Sequence, residues 1–259
     1  MLILVPPSEG KTAPASGPPL DLDALSHPEL SPVRRRLMDA LGVLSAGDEE
    51  QALAELHLGP RSREELARNL DLAAAPAAPA SQVYTGVLFD RLGLGTLPPA
   101  ARRRADLHVL IVSALWGVVR PGDRIPAYRC PAGARLPGQE SARRTWAAPL
   151  TAALPEDELV VDLRSGPYRE LWRGPAAAPT VLVGVVRERA GKRSVVSHDA
   201  KATRGEIGRA LLRDRGIWTG RETPRRVAGR IAAAGWEVEL ESAKRAGSWE
   251  LTVVERADG

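Results

Sequence analysis

Four short, almost unbroken apolar runs constrain this chain more than any other feature: Leu2–Val5, Leu107–Ser113, Leu159–Leu163 and Thr180–Val186. Runs of this length, rich in Val, Ile and Leu, mark buried strands. Ser194–Ser197, Trp236–Glu241 and Trp249–Val254 add further strands, and the last two form a terminal hairpin about the Ala243–Gly247 turn. Helical spacing fills Pro32–Leu44, Asp48–His57, Ser62–Leu72, Ser81–Leu92, Ser141–Leu154, Gly205–Asp214 and Thr223–Ala234. Start signals accompany several of them, including Thr223-Pro224 and a Ser62-x-x-Glu65 capping box. The expected fold class is α/β, mixed α+β in detail, with a central mixed sheet flanked by helices.

Ala13–Leu20 and the Ala/Pro-rich Ala73–Ala80 read as loops, and between them lies an all-helical stretch. The expectation is one domain over residues 1–259 with a helical insert at 30–73. With 259 residues and 44% of them hydrophobic, the chain can bury a sizeable core. Its longest apolar runs fall short of the roughly 18 residues of a membrane helix, so no membrane span is expected. Met1–Val5 has no basic segment before it and meets Pro6-Pro7 at once, which suits a first strand better than a signal peptide. A cytoplasmic protein is expected.

One cysteine, Cys130, excludes an internal disulfide framework, and four scattered histidines give no zinc pattern. No metal and no cofactor is expected. Of the 36 basic residues only Lys11, Lys192, Lys201 and Lys244 are lysine. The excess of arginine, with abundant alanine and proline, has the composition that GC-rich coding produces. A net charge of +4 is compatible with a phosphate-bearing partner but far from the basic stripe of a dedicated DNA binder.

Candidate chemistry follows the strands. Leu2–Val5 runs into Ser8, Lys11 and Thr12; Leu107–Ser113 into Trp116, Arg120, Asp123, Tyr128 and Arg129; Leu159–Leu163 into Ser165; and Ser194–Ser197 into His198, Lys201 and Arg204. If the strands run parallel, these exits gather on one edge of the sheet, where open sheets bind ligands. Ordinary turn chemistry explains any one exit taken alone.

Gly10-Lys11-Thr12 is not a P-loop: position 5 is Val, and Ala13-Pro14 stops the helix that would complete a phosphate cradle. Lys11 remains a point charge for a phosphate or carboxylate. Arg120 and Arg129 are candidate anion binders and Asp123 a candidate proton acceptor, against the alternative of an ion pair that fastens the loop. Tyr84 and Tyr128 can stack on a base or pack in the core. His198 and Asp199, adjacent on an extended chain, point apart. No G-x-S-x-G elbow supports Ser-His-Asp hydrolysis.

Within the insert, Leu53–Ala67 reads as helix, tight turn, helix, with Gly59 in the turn and Arg61, Arg63 and Arg68 around it. A helix-hairpin-helix grips duplex phosphates in this way, without reading sequence. A plain αα-hairpin is the competing reading, and Glu49, Glu50, Glu55, Glu64 and Glu65 oppose a strong phosphate grip.

Five motifs occur in order: Met1–Thr12, Val83-Tyr84-Thr85-Gly86, Ser113–Asp123 with Pro126-Ala127-Tyr128-Arg129, Asp162–Tyr168, and Ala200–Gly205. Together they resemble the YaaA peroxide-stress protein family, whose members carry an N-terminal Met-Leu-Ile-Leu run ending in Lys-Thr, a Val-Tyr-Thr-Gly element and a Pro-Tyr-Arg. Asp162 stands where the family has Asn, Arg164 replaces a small Ala, Trp116 replaces Tyr, and residues are inserted before Lys11.

The resemblance implies protection against hydrogen peroxide with lowered free iron, binding of double-stranded DNA, and a mixed α/β body with a helix-hairpin-helix and a basic cleft. Two functions are carried forward. One is a stress-protective protein holding duplex DNA. The other is an enzyme acting on a small anionic or nucleotide-like substrate, with Asp123 and Lys201 as candidate catalytic residues. Ser8, Lys11, Thr12, Tyr84, Arg120, Tyr128, Arg129, Ser165 and Arg204 would bind its ligand. An interaction scaffold without a ligand is the third.

Overall fold

The first strand, β1 (Leu2–Val5), is buried at every position and has parallel neighbours on both sides. The computed structural model describes residues 1–59, 61–189, 191–195, 199–219 and 222–256. After β1 come α1 (Ser31–Ala46), α2 (Glu49–Glu55), α3 (Arg63–Leu70), β2 (Ala78–Pro79), α4 (Ala80–Val83), α5 (Val87–Leu92) and α6 (Pro99–His108). Next are β3 (Val109–Ser113), β4 (Gly117–Val119), β5 (Arg124–Ile125), α7 (Ala142–Ala153), β6 (Val160–Asp162) and α8 (Gly166–Arg169). The chain ends with β7 (Thr180–Arg189), β8 (Lys192–Val195), α9 (Asp199–Arg213), α10 (Pro224–Ala233), β9 (Glu237–Ser242) and β10 (Ser248–Arg256).

The main sheet runs β4-β3-β1-β6-β7-β10-β9, with β8 also paired to β7. Strands β3, β1, β6, β7 and β10 are parallel; β4, β8 and β9 are antiparallel to their neighbours. The fold is therefore the expected mixed sheet flanked by helices. From β1 the chain moves to β3 on one side and returns to β6 on the other. Strand order thus reverses between β1 and β6, and at such a point the loops leaving the two carboxyl ends diverge and open a crevice.

Several local expectations change. Leu107 and His108 do not extend the strand: Leu107 is exposed and the pair finish α6. The helix expected over Ser81–Leu92 breaks between α4 and α5, where Gly86 sits at φ +96°. Ser62 makes no side-chain cap, so the capping box does not form. The fourth strand exit is also different, because β8 is antiparallel and Lys201 and Arg204 lie on α9 rather than in a loop. His198 lies outside the described residues.

One apolar cluster joins the sheet to its helices and to the insert helices, through Leu37, Leu41, Leu56 and Leu66. Arg34 of α1 reinforces that attachment. Fully buried, it donates from Nε to the Trp116 carbonyl (3.0 Å) and from Nη2 to those of Ser26 and Val118 (both 2.8 Å). Helix α9 lies against α5 so closely that a Cβ at Gly205 would stand 2.4 Å from the Leu88 carbonyl oxygen. Only glycine permits that approach, which fixes where the α9 side chains emerge.

Candidate functional site

The crevice predicted by the strand order is present at the carboxyl ends of β1 and β6. It is a cavity of about 240 Å³. The β1 exit supplies Ser8 and Glu9, the β6 exit Ser165 and Tyr168, the turn before α5 Thr85, and α9 Lys201. Ser8 locks two of these loops together: its hydroxyl donates to the Gly10 carbonyl (2.6 Å) and accepts from the Thr85 N–H (3.0 Å). Thr85 Oγ1 donates to the same Gly10 carbonyl. These mutual bonds hold the rim in one arrangement.

Behind that rim lies a buried polar chamber. Lys11 Nζ donates to the Ser8 carbonyl at 2.8 Å and the Glu9 carbonyl at 3.3 Å. It also sits over the rings of Tyr128 (4.3 Å) and Tyr84 (5.6 Å). Loss of water, with the Arg129 guanidinium nearby, brings its ammonium down from an ordinary 10.5 to about 7, although Glu65 and Glu9 pull the other way. Tyr84 Oη and Tyr128 Oη share a hydrogen bond of 2.8 Å, and Tyr128 Oη shares another of 2.6 Å with Ser113 Oγ. Ser113 Oγ in turn accepts from the N–H groups of Leu115 and Trp116. A linked set of hydroxyls therefore underlies an amine that is only partly charged near neutral pH.

Other candidates are placed elsewhere or already engaged. Arg120 donates to the carbonyls of Asp106 and Leu107, which precede β3 and lie at the amino edge of the sheet. Asp123 is beside it, accepting from Ser26 N (3.1 Å), Ser26 Oγ (2.8 Å) and Arg120 N (2.8 Å). Neither lines the crevice; Asp123 does fasten its loop, but through hydrogen bonds to Ser26 and the Arg120 backbone rather than through the ion pair expected. Thr12 is exposed and pairs through its backbone N–H with Val83. Arg129 caps the helical hairpin, donating from Nε to Leu56 O (2.9 Å) and from Nη2 to His57 O (3.1 Å), with Glu9 at 3.8 Å. Arg204 donates to the Val183 carbonyl, and burial beside Arg169 lowers its pKa.

Tyr168 was not singled out by sequence reasoning. It lines the crevice, and burial pushes its phenol up to about 12. The Cys130 thiol, buried near Lys11 and Arg129, is also pushed up to about 12. Among the described residues no three His, Cys, Asp or Glu side chains are grouped to hold a metal, and no helix is long and apolar enough to cross a membrane.

In the helical hairpin, Arg63 Nε pairs with Glu49 at 2.7 Å and Arg68 with Glu64 at 3.7 Å, whereas Arg61 is exposed. The residue in left-handed conformation is His57, at φ 51°, rather than Gly59.

A family model described as peroxide stress protein YaaA matches residues 1–217. The chain belongs to the YaaA peroxide stress family. A UPF0246 protein of Streptomyces coelicolor is 45% identical over 260 residues, covering 98% of both chains. One from Corynebacterium efficiens is 42% identical over 250 residues, covering 95% of this chain and 97% of the relative. An uncharacterised protein of Campylobacter jejuni is 30% identical over 209 residues, 79% of this chain and 82% of its own. All five motifs lie inside the span matched by the YaaA model, so the crevice and the chamber behind it are built from the segments that carry the family likeness.

Proposed function

We propose that this YaaA protein contributes to the peroxide response by holding a small, phosphate-bearing or nucleotide-like ligand in the crevice at the carboxyl ends of β1 and β6. The observation that carries this reading is Lys201. It lines the crevice together with Ser8, Glu9, Thr85 and Ser165, and its ammonium makes no ion pair with the described side chains, Glu9 included. The Ser8 and Thr85 hydroxyls already donate to the Gly10 carbonyl, so the Lys201 ammonium and the Ser165 hydroxyl are the donors left for an oxyanion. If the ligand is chemically transformed, Lys11, only partly protonated near neutral pH, is the better candidate for proton transfer than Asp123, whose carboxylate is spent on three hydrogen bonds. The test is calorimetric titration with AMP and with inorganic pyrophosphate. Saturable binding that Lys201→Ala weakens by about tenfold supports the reading, since a hydrogen bond to a charged group contributes about that much. Equal binding by the variant refutes it.

A second reading, duplex DNA held at the helical hairpin, is favoured by Arg61, which is exposed between α2 and α3 and forms no ion pair with the described side chains. Fluorescence anisotropy with a 20-base-pair duplex tests it. Binding that falls steeply with salt and weakens in Arg61→Glu is expected on this reading. No binding at low ionic strength removes it.

A further inference from the structure

A second cavity, of about 320 Å³, opens at the opposite edge of the sheet, beside the segments that lead into β6, β7 and β10. It shares no lining residue with the strand-exit crevice. Three arginines reach it from three separate elements: Arg143 from the first turn of α7, Arg173 from the loop after α8, and Arg245 from the β9–β10 turn.

Two carboxylates, Glu156 and Glu170, share the lining with the three arginines, and among the described residues only Glu170 pairs with any of them, so a net positive charge remains. Glu170 Oε2 serves two of them at once, Arg173 Nη2 at 2.7 Å and Arg143 Nε at 3.6 Å. Arg245 has no carboxylate partner among the described residues; its Nη1 donates to the Arg173 carbonyl. That bond ties the β9–β10 turn to the 170–176 loop. In that loop Gly174 sits at φ +94° and a Cβ there would stand 2.3 Å from Thr180 Oγ1, so the loop packs closely on the start of β7. The lining also includes the mostly buried apolar side chains of Leu154, Trp172 and Pro175.

We propose that this amino-edge cavity is a binding site for a phosphate monoester with a flat apolar body, distinct from the strand-exit crevice. Guanidinium groups arriving from three directions can surround a tetrahedral dianion, each offering paired donors, whereas a planar carboxylate engages one or two such forks. The apolar part of the lining takes the organic part of the ligand and excludes water from one side of the anion, which strengthens the contact.

Phenyl phosphate is the probe, titrated calorimetrically at 150 mM salt, with benzoate as the planar comparison. Phenyl phosphate is expected to bind saturably and more tightly than benzoate. Arg245→Ala should weaken it by about tenfold or more, the effect of removing a charge-assisted contact. Phenyl phosphate also has the chemistry proposed for the strand-exit crevice, so every protein in the series carries Lys201→Ala, and the saturable binding is expected to persist there. Arg143→Ala, on an exposed helix start, provides a second loss with circular dichroism confirming the fold. Absence of saturable binding in the Lys201→Ala background, or an affinity there that neither Arg245→Ala nor Arg143→Ala lowers, overturns the proposal. The crevice reading fails instead if pyrophosphate, which has no organic body, binds equally with and without the Lys201 amine, so the two failures are separable.

Discussion

Replacing Lys11 with methionine is expected to stabilise the protein at pH 7. The amine titrates at about 7 in the fold and at an ordinary 10.5 when unfolded. At about 1.36 kcal/mol per pH unit that difference corresponds to about 5 kcal/mol. Two corrections reduce it: the residue is half-buried rather than sealed, and the Tyr128 face returns about 1 kcal/mol to the charged form. Methionine fills much of the same volume, but the Ser8 and Glu9 carbonyls lose a donor, at a cost of about 1 kcal/mol each. A net gain of about 2 kcal/mol remains, which raises the Tm by roughly 4–8 °C in a protein of this size.

The pH dependence separates this mechanism from generic repacking. Between 7 and 10.5 the unfolded chain binds the extra proton, so wild-type stability gains from Lys11 as pH rises through that window. The advantage of Lys11→Met should be largest at pH 7 and below and should shrink toward pH 10. Urea unfolding of both proteins at pH 6.5, 8 and 9.5 measures it. A variant less stable than wild type at pH 7, or a stability gap independent of pH, refutes the reasoning.

Two other outcomes follow from buried groups. Arg164, fully enclosed, holds Asp162 through two bonds of 2.9 and 2.8 Å and also donates to the carbonyls of Tyr168 and Trp172. Arg164→Met, which leaves the buried carboxylate with only a backbone N–H and Arg169 Nε at 3.9 Å, should cost about 3 kcal/mol in urea unfolding, and adding Asp162→Asn should recover part of it. Cys130, buried with a thiol titrating near 12, should resist both a soluble disulfide reagent and millimolar hydrogen peroxide in the native state, as read by intact mass. Rapid modification would show that the site opens readily.

The parallel strands were legible because a fully buried strand leaves an unbroken apolar run, and the β1 run coincides with its strand to the residue. The loop from Arg120 to Arg129 was harder to read because closeness in sequence suggested one site. In the fold this loop crosses the sheet, leaving Arg120 and Asp123 at the amino edge and Tyr128 beside Ser113 at the carboxyl edge. Lys201 was chosen for the right edge but on the wrong element. A helix that begins at Asp199 carries it there, while the preceding strand runs antiparallel. Tyr168 was hidden for the opposite reason: its role comes from α8 folding back over the β6 exit, which no local pattern announces.

The scarcity of lysine has a physical reading once the chamber is known. In a chain with 36 basic residues, only four are lysine, and the position enclosed by Tyr84 and Tyr128 is one of them. An ammonium can discharge when its water is removed, but a guanidinium, with its far higher pKa, cannot do so at an accessible pH. Arg129 already places a permanent charge beside the chamber. A second there would bring like-charge repulsion and a larger group into a space sized for one amine. Lys11→Arg is therefore expected to cost little beyond its extra bulk at pH 6.5, where both side chains are charged, and to fall progressively behind wild type as pH rises, by about 2–4 kcal/mol in urea unfolding at pH 9.5, where only the lysine has lost its proton. If arginine proved as stable as lysine at pH 9.5, the chamber would be open enough to hydrate a fixed charge, and the partial discharge assigned to Lys11 would fail with it.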